Sequence, residues 1–350
     1  MSHQEAFLAL VRAGLWNEEV RLESVDNIDF DEIRRLAEDQ SVVGLVTAGL
    51  EKLPAGKLPL TEKLKFAGLC QLIEQRNEAM NLLSKVLLKK LQEVGIRVLL
   101  VKGQGLAQCY ENPLWRASGD IDLFFNGNDF NKAVDLLKPL AQNSKPERKY
   151  SKEIGFYLDD ILLELHGTLR TGLSSRIDKT VDAVQEDTFK NNNTRVWHNG
   201  ETSMLLPSSD NDVFFVFTHF IKHFYKEGMK LRQICDWCRV LWTYKQEIDS
   251  TLLTERLCNA GLMSEWKVFA ALSVGYLGMP IEAMPLYDGD IHLHKKGEKV
   301  LGFILKNGKT NKLKTTMAIA RVFPYNTLCF APSIFMDVNR MKIKERLLGK

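Results

Sequence analysis

Arg116-Ala117-Ser118-Gly119-Asp120-Ile121-Asp122-Leu123-Phe124-Phe125 decides how this chain is read. A glycine leads at once into two carboxylates two residues apart, interleaved with Ile and Leu and running into Phe-Phe. That is the pattern of a buried strand opening out of a turn. Side chains two apart on a strand share a face, so Asp120 and Asp122 project together while Ile121 and Leu123 project oppositely. Two ionised carboxylates side by side repel, and cations between them relieve the repulsion. Hard oxygen donors so placed suit Mg²⁺, which binds through one or two carboxylates together with substrate phosphates.

Outward from this stretch, Val98-Leu99-Leu100-Val101-Lys102-Gly103 and Tyr110-Glu111-Asn112-Pro113-Leu114-Trp115-Arg116 come before it in order. With Gly119-Asp120-Ile121-Asp122, the set resembles the uncharacterised nucleotidyltransferase family of the polymerase-beta-type superfamily. Its pattern is a strand, Lys-Gly, a short helix ending near Tyr, then Arg and a Gly/Ser-Asp-x-Asp strand. The resemblance implies an α+β fold: a small mixed nucleotidyltransferase sheet with flanking helices, plus N-terminal and C-terminal helical segments. It also implies nucleotidyl transfer from a nucleoside triphosphate to a hydroxyl acceptor, with two Mg²⁺ ions on Asp120 and Asp122. Residues 1–92 are expected to form the N-terminal helical segment, 93–200 the α/β core, and 201–350 a C-terminal helical domain with a basic tail.

The 350 residues are 45% hydrophobic and 26% charged, which is enough apolar content for a substantial core and excludes a disordered chain. A basic region followed by an apolar run is missing at the N-terminus, so no secretory signal is expected. No run approaches the ~18 apolar residues of a membrane span. Six cysteines (Cys70, Cys109, Cys235, Cys238, Cys258, Cys329) are scattered through apolar patterns, as reduced thiols in a cytoplasmic protein would be. The net charge of +3 hides an asymmetry: ten Lys and three Arg against three acids lie from Lys295 to Lys350. That segment is either a solvated basic face or a surface for an anionic partner.

Helical spacing fills residues 1–92: one element around Ala6 to Val11, a second capped by Asp29 or Asp31 and running through Ile33, Leu36 and Val42, and a long one from Leu64 to Leu91. Gly95 ends the last, and Ile96 to Val101 reads as a central strand. Lys102-Gly103-Gln104-Gly105 then turns the chain into a short helix, Leu106 to Tyr110. Glycine there lets backbone N–H groups approach a phosphate, and Lys102 adds a compact positive charge, although the spacing of a Walker loop is absent. After the acidic strand come a helix opened by Gly127 and a hairpin, Tyr150 to Leu158 and Ile161 to Leu165, turning at Asp159-Asp160. Residues 174–201 read as polar loops around a short helix, with a short strand at Val196 to His198.

In Ile161-Leu162-Leu163-Glu164-Leu165-His166, Glu164 and His166 share one face. A carboxylate among so many aliphatics needs a partner, because burying an unpaired charge is costly. The resemblance makes Glu164 the third catalytic and metal-ligating carboxylate, on a strand beside the Asp pair. It also makes Lys102, Gly103, Arg116 and Gly119 nucleotide-binding residues, with Arg116 a second positive group approaching the phosphates.

Further on, His219 and His223 lie one turn apart on an apolar helix, and Asp236 follows on the next. Three readings stay open for these three: nucleotide-pocket lining, satisfied interhelical hydrogen-bonding groups, or transition-metal ligands of a phosphohydrolase. A catalytically inactive binding protein on the same fold is a further alternative. Cys235 and Cys238 read as core thiols. The acceptor, whether small molecule, glycan, protein or RNA, is not written in the residues.

Overall fold

The computed structural model describes residues 3–20, 28–226, 228–306 and 312–332. Four helices come first: α1 (His3–Trp16), α2 (Phe30–Asp39), α3 (Val43–Leu50) and the long α4 (Leu60–Glu93). Asp29 caps α2, its carboxylate accepting from the Glu32 N–H. The expected run through Val42 is instead broken, because Ser41 turns left-handed (φ 55°) and a separate α3 begins beyond it.

The central part supplies β1 (Val98–Val101), α5 (Gly103–Ala107), β2 (Asp120–Phe125), α6 (Gly127–Leu137), β3 (Asn143–Ser144), β4 (Glu153–Leu158) and β5 (Ile161–His166). These strands form one mixed sheet in the order β1-β2-β5-β4-β3. Only β2 and β5 pair in parallel; the other neighbours are antiparallel. This is the expected α+β fold with its small mixed sheet. The short helix starts earlier than its spacing suggests, at Gly103 itself, so the glycine turn is already its first residue.

The stretch expected to be mostly loop holds a 16-residue helix, α7 (Ser175–Lys190), with Ser174 as N-cap. After it β6 (Thr194–Asn199) and β7 (Thr202–Pro207) make a two-stranded hairpin, so the short strand expected at Val196 has a partner. Ile177, Val181 and Val184 bury one stripe of α7, which its charged remainder obscures in the sequence. Then follow α8 (Ser209–Lys226), α9 (Leu231–Thr243), α10 (Ser250–Ala260), α11 (Met263–Leu277), α12 (Ile291–Leu305) and α13 (Lys312–Val322). Part of the basic segment, 307–311 and 333–350, lies outside the described residues.

Strand alternation splits the sheet between two cores. Ile121, Leu123 and Phe125, with Leu163 and Leu165, face a core shared with the second half of α4 and with α6. Leu99, Val101 and Phe124 face the other way, into a larger core that takes in α1 to α3 and α7 to α13. The acidic side chains of β2 and β5 therefore lie on the side of the sheet that meets the C-terminal helices. The N-terminal and C-terminal helices share that larger core, and Trp16 Nε1 donates to the Leu277 carbonyl at 2.6 Å. Cys235 and Cys238 are buried free thiols within it, as their spacing suggested.

One close approach sets the turn that leads into β2. A Cβ built on Gly44 of α3 would lie 2.2 Å from the Trp115 carbonyl oxygen. Only glycine lets α3 back directly against this turn. Helix propensity alone favours Ala over Gly by about 1 kcal/mol. Gly44→Ala is nevertheless expected to destabilise by about 2 kcal/mol or more, as overpacking does. Thermal denaturation checks this, and an unchanged or higher melting temperature would show that the contact is not tight.

Candidate functional site

The register of β2 on β5 puts Asp122 directly opposite Glu164, with Asp120 opposite Leu162 and Phe124 opposite His166. Alternation then brings Asp120, Asp122, Glu164 and His166 to one face. Asp122 is 3% exposed and His166 is 4% exposed. Asp122 Oδ1 accepts from Lys102 Nζ at 2.8 Å and lies 2.7 Å from His166 Nε2. Glu164 Oε1 accepts from Lys145 Nζ at 3.0 Å. Each acid of the facing pair thus carries a lysine.

Lys102 reaches Asp122 from a strained backbone, φ 57° and ψ −142°, between β1 and α5. Such a conformation in a non-glycine residue costs on the order of 1–3 kcal/mol and persists where the surroundings hold it. Here those surroundings include the ion pair to Asp122. Gly103 follows with φ 35°, and a Cβ there would stand 3.3 Å from the Asp120 carbonyl oxygen.

The electrostatics divide the two aspartates. Burial opposes ionisation of Asp122, but Lys102 and then His166 hold its carboxyl far below the usual carboxylate range. Burial and then the Asp122 charge push Asp120 up to about 6. Burial likewise opposes the charge on Lys102, yet the Asp122 carboxylate prevails and raises its ammonium pKa. Two like charges on one face cannot both ionise freely, and the more exposed Asp120 yields.

A cavity of about 400 Å³ opens over this face. Asp120, Asp122, Glu164, Lys102, Gly103, Arg116, Gly119, His219 and His223 all line it, so every site residue picked out from the sequence meets at one place. Their roles within it differ. Arg116 is 6% exposed and is gripped by Asp236, Nε to Oδ1 at 2.7 Å and a terminal nitrogen to Oδ2 at 2.8 Å. Tyr110 donates to the same carboxylate at 2.7 Å. Burial opposes the charge on Asp236, but Arg116 holds its pKa below the ordinary value. The Arg116 guanidinium is therefore committed to a structural clamp between the β2 approach and α9. Asp236 is a satisfied hydrogen-bonding group, held by residues of the turn before β2 rather than by a helix, and it also lines the cavity.

His219 and His223 touch each other, Nε2 to Nε2 at 3.1 Å. Burial, and then the positive charge of Lys102, drive the His219 pKa well below its usual value, so the ring is neutral. With Asp236 bound by Arg116 and Tyr110, the phosphohydrolase ligand set His219, His223 and Asp236 does not assemble. Among the described residues, one group of three donors comes together for a cation. Asp122, Glu164 and His166 each place a ligand atom within 4.8 Å of the other two.

That group shares Asp122 and Glu164 with the set read from the sequence. His166 joins it, and Asp120 stands outside it on the same face. The signal for His166 was its place on the Glu164 face; Lys145 had none, lying in a polar loop. Two carboxylates and an imidazole fit a divalent cation, as does a raised Asp120 that a nearby cation would return to its ionised form. In this structure Lys102 and Lys145 balance the charges of Asp122 and Glu164.

An α+β fold with facing acids over a cavity rimmed by basic side chains defines a class of phosphate-handling candidates. The family model for the uncharacterised nucleotidyltransferases matches residues 26–273, well over half the chain, and the chain belongs to that family. Among solved structures it is similar to an antigenic nucleotidyltransferase-like protein from Paracoccidioides brasiliensis, at 14% identity and a TM-score of 0.34, over 57% of this chain and 93% of that one. No curated protein sequence matches it. No helix among the described residues is long and apolar enough to cross a membrane.

Two outcomes follow from the electrostatics. Asp120 has a folded-state pKa near 6 against 3.8 for an unperturbed aspartate. The unfolded chain therefore releases this proton first, and the contribution of Asp120 to stability, full below about pH 4, is lost as pH rises through 6. Denaturant titrations without divalent cations are expected to show that loss in the wild type and not in Asp120→Asn; parallel curves would contradict it. Asp236→Asn strands a buried guanidinium and is expected to cost about 3–5 kcal/mol. A loss under about 1 kcal/mol, typical of an exposed pair, would contradict the clamp.

Proposed function

We propose that the chain is a divalent-cation-dependent nucleotidyltransferase that moves a nucleoside monophosphate from a nucleoside triphosphate to a hydroxyl acceptor. The observation that carries this reading is the register pairing of Asp122 with Glu164 at the floor of a cavity rimmed by basic side chains. Family membership supports the reaction class.

Asp120, Asp122 and Glu164 are the residues that would hold the cations, two Mg²⁺ in the reading from sequence, and His166 is placed to join them. A bound divalent cation supplies charge neutralisation for the triphosphate and lowers the pKa of the acceptor hydroxyl. In the transfer, the acceptor oxygen bonds to the α-phosphorus. The α–β bridging bond breaks with its electron pair leaving on pyrophosphate, and the acceptor proton passes to water or to a carboxylate of the set.

The chain's own contribution is placement and charge. Lys102 and Lys145, with the Gly103 and Gly119 backbone, line the cavity and would bind the triphosphate there. Neutral His219 offers a hydrogen bond without adding charge, with His223 against it. Burial of the floor keeps water from competing with the acceptor. A second reading, a binding protein that has lost turnover, draws on the lysines and His166 that already satisfy the acids.

One assay separates the two: incubation with labelled nucleoside triphosphates and Mg²⁺ or Mn²⁺, with pyrophosphate release and self-labelling measured. Turnover is expected in the wild type. Asp120→Asn or Asp122→Asn is expected to remove at least about a thousandfold of it, the scale on which losing a preorganised electrostatic group acts. Glu164→Gln should be nearly as severe. Unchanged turnover in a folded Asp122→Asn protein would remove the assignment, and silence in the wild type with every nucleotide would favour the binding protein.

A further inference from the structure

Arg232 is set apart from the other arginines near the cavity by its lack of a carboxylate. Arg116 is held by Asp236, Arg148 by Glu153, Arg170 by Asp182 and Arg195 by Asp212. Arg232, in the first turn of α9, makes no ion pair among the described residues. One terminal nitrogen donates to the Ala117 carbonyl, fastening the side chain to the turn that leads into Asp120. Its Nε is enclosed and has no hydrogen-bond partner.

A partly buried guanidinium without a carboxylate is costly unless an anion completes it. Its surroundings sharpen the need. Arg116 lies close enough to repel it, and together with burial lowers the pKa of Arg232. Lys230 is disfavoured in turn by burial and then by Arg232. The acids within electrostatic reach are Asp236 and Asp120. Asp236 is already taken by Arg116 and Tyr110, and Asp120 belongs to the acidic floor. Arg232 and Lys230 both line the cavity shared with Lys102 and Asp120.

We infer that Arg232, with Lys230 beside it, forms a polyphosphate subsite that receives the outer phosphates of the incoming nucleotide, opposite the acidic strands. This rests on the nucleotidyl-transfer reading for the identity of the anion. The binding itself needs neither a cation nor turnover. A guanidinium held at the Ala117 carbonyl by one terminal nitrogen, and lining the cavity, keeps its second terminal nitrogen for a phosphate oxygen, and charge-assisted bonds of this kind are the strong ones. The subsite also gives the pyrophosphate product a place to rest after the α–β bond breaks.

The probe is inorganic tripolyphosphate in EDTA, titrated calorimetrically into the full chain, with thermal shift as a second readout. Binding is expected in the wild type, with a rise in melting temperature. Arg232→Ala is expected to bind about tenfold or more weakly, since one charge-assisted bond is worth that much. Arg232→Lys should recover part of the affinity. If Arg232→Ala loses stability, the Arg232→Lys protein carries the comparison, because a purely structural arginine would leave its affinity at the wild-type value or at that of the alanine protein. Wild-type binding weaker than millimolar, or equal affinity in all three proteins, overturns the subsite. The outcome is independent of activity: absent pyrophosphate release with intact tripolyphosphate binding would sink the transfer reading and leave the subsite standing.

Discussion

Asp122 and Glu164 face each other across the single parallel pairing of the sheet, and much of the local structure answers that repulsion. With ligand atoms within 4.8 Å and an effective dielectric near 20, two full charges would cost about 3 kcal/mol. The fold offsets this locally. Lys102 and His166 close on Asp122, Lys145 closes on Glu164, and Asp120 gives up its proton only near pH 6. Lys102 accepts a strained backbone to do so. A sheet serving only as scaffold would gain from aliphatic residues at these positions, since replacing buried charges by well-packed apolar groups is often neutral or stabilising.

The helices beyond the sheet complete the site rather than merely cover it. α8 brings His219 and His223 over the acidic floor, and α9 brings Asp236 to Arg116 and Arg232 to Ala117. Both contacts from α9 end on the short approach to β2, whose other side is backed by α3 through Gly44 and Trp115. Asn77 of α4 adds two donations to the same approach, to the Leu114 and Arg116 carbonyls. Elements far apart in sequence thus hold one turn, and that turn sets where Asp120 and Gly119 meet the cavity. The family match spans most of them, from α2 to α11.

What could be read from the sequence was what local periodicity encodes. Alternation put Asp120 with Asp122 on one face of β2 and Glu164 with His166 on one face of β5, and an amphipathic stripe located α8 with its two histidines. Neither pattern contains the register between strands, which depends on which residues pair across the sheet. For that reason His166 was seen beside Glu164 without its contact to Asp122. The commitment of Arg116 to Asp236 joins residues 120 apart, and the lack of a carboxylate at Arg232 depends on three neighbours from other elements. Where local signals were diluted the reading failed: the charged face of α7 masked its buried stripe, and a left-handed Ser41 divided what spacing alone would run together.

In the proposed reading, Lys102 and Lys145 hold the facing acids where divalent cations would bind during transfer. The most direct measurement is the anomalous signal of Mn²⁺ in crystals of the protein grown with a non-hydrolysable nucleoside triphosphate. A peak bound by Asp122 and Glu164 is expected, with the Lys102 ammonium moved off Asp122 toward phosphate. Strong nucleotide density without such a peak, with Lys102 still on Asp122, would contradict it.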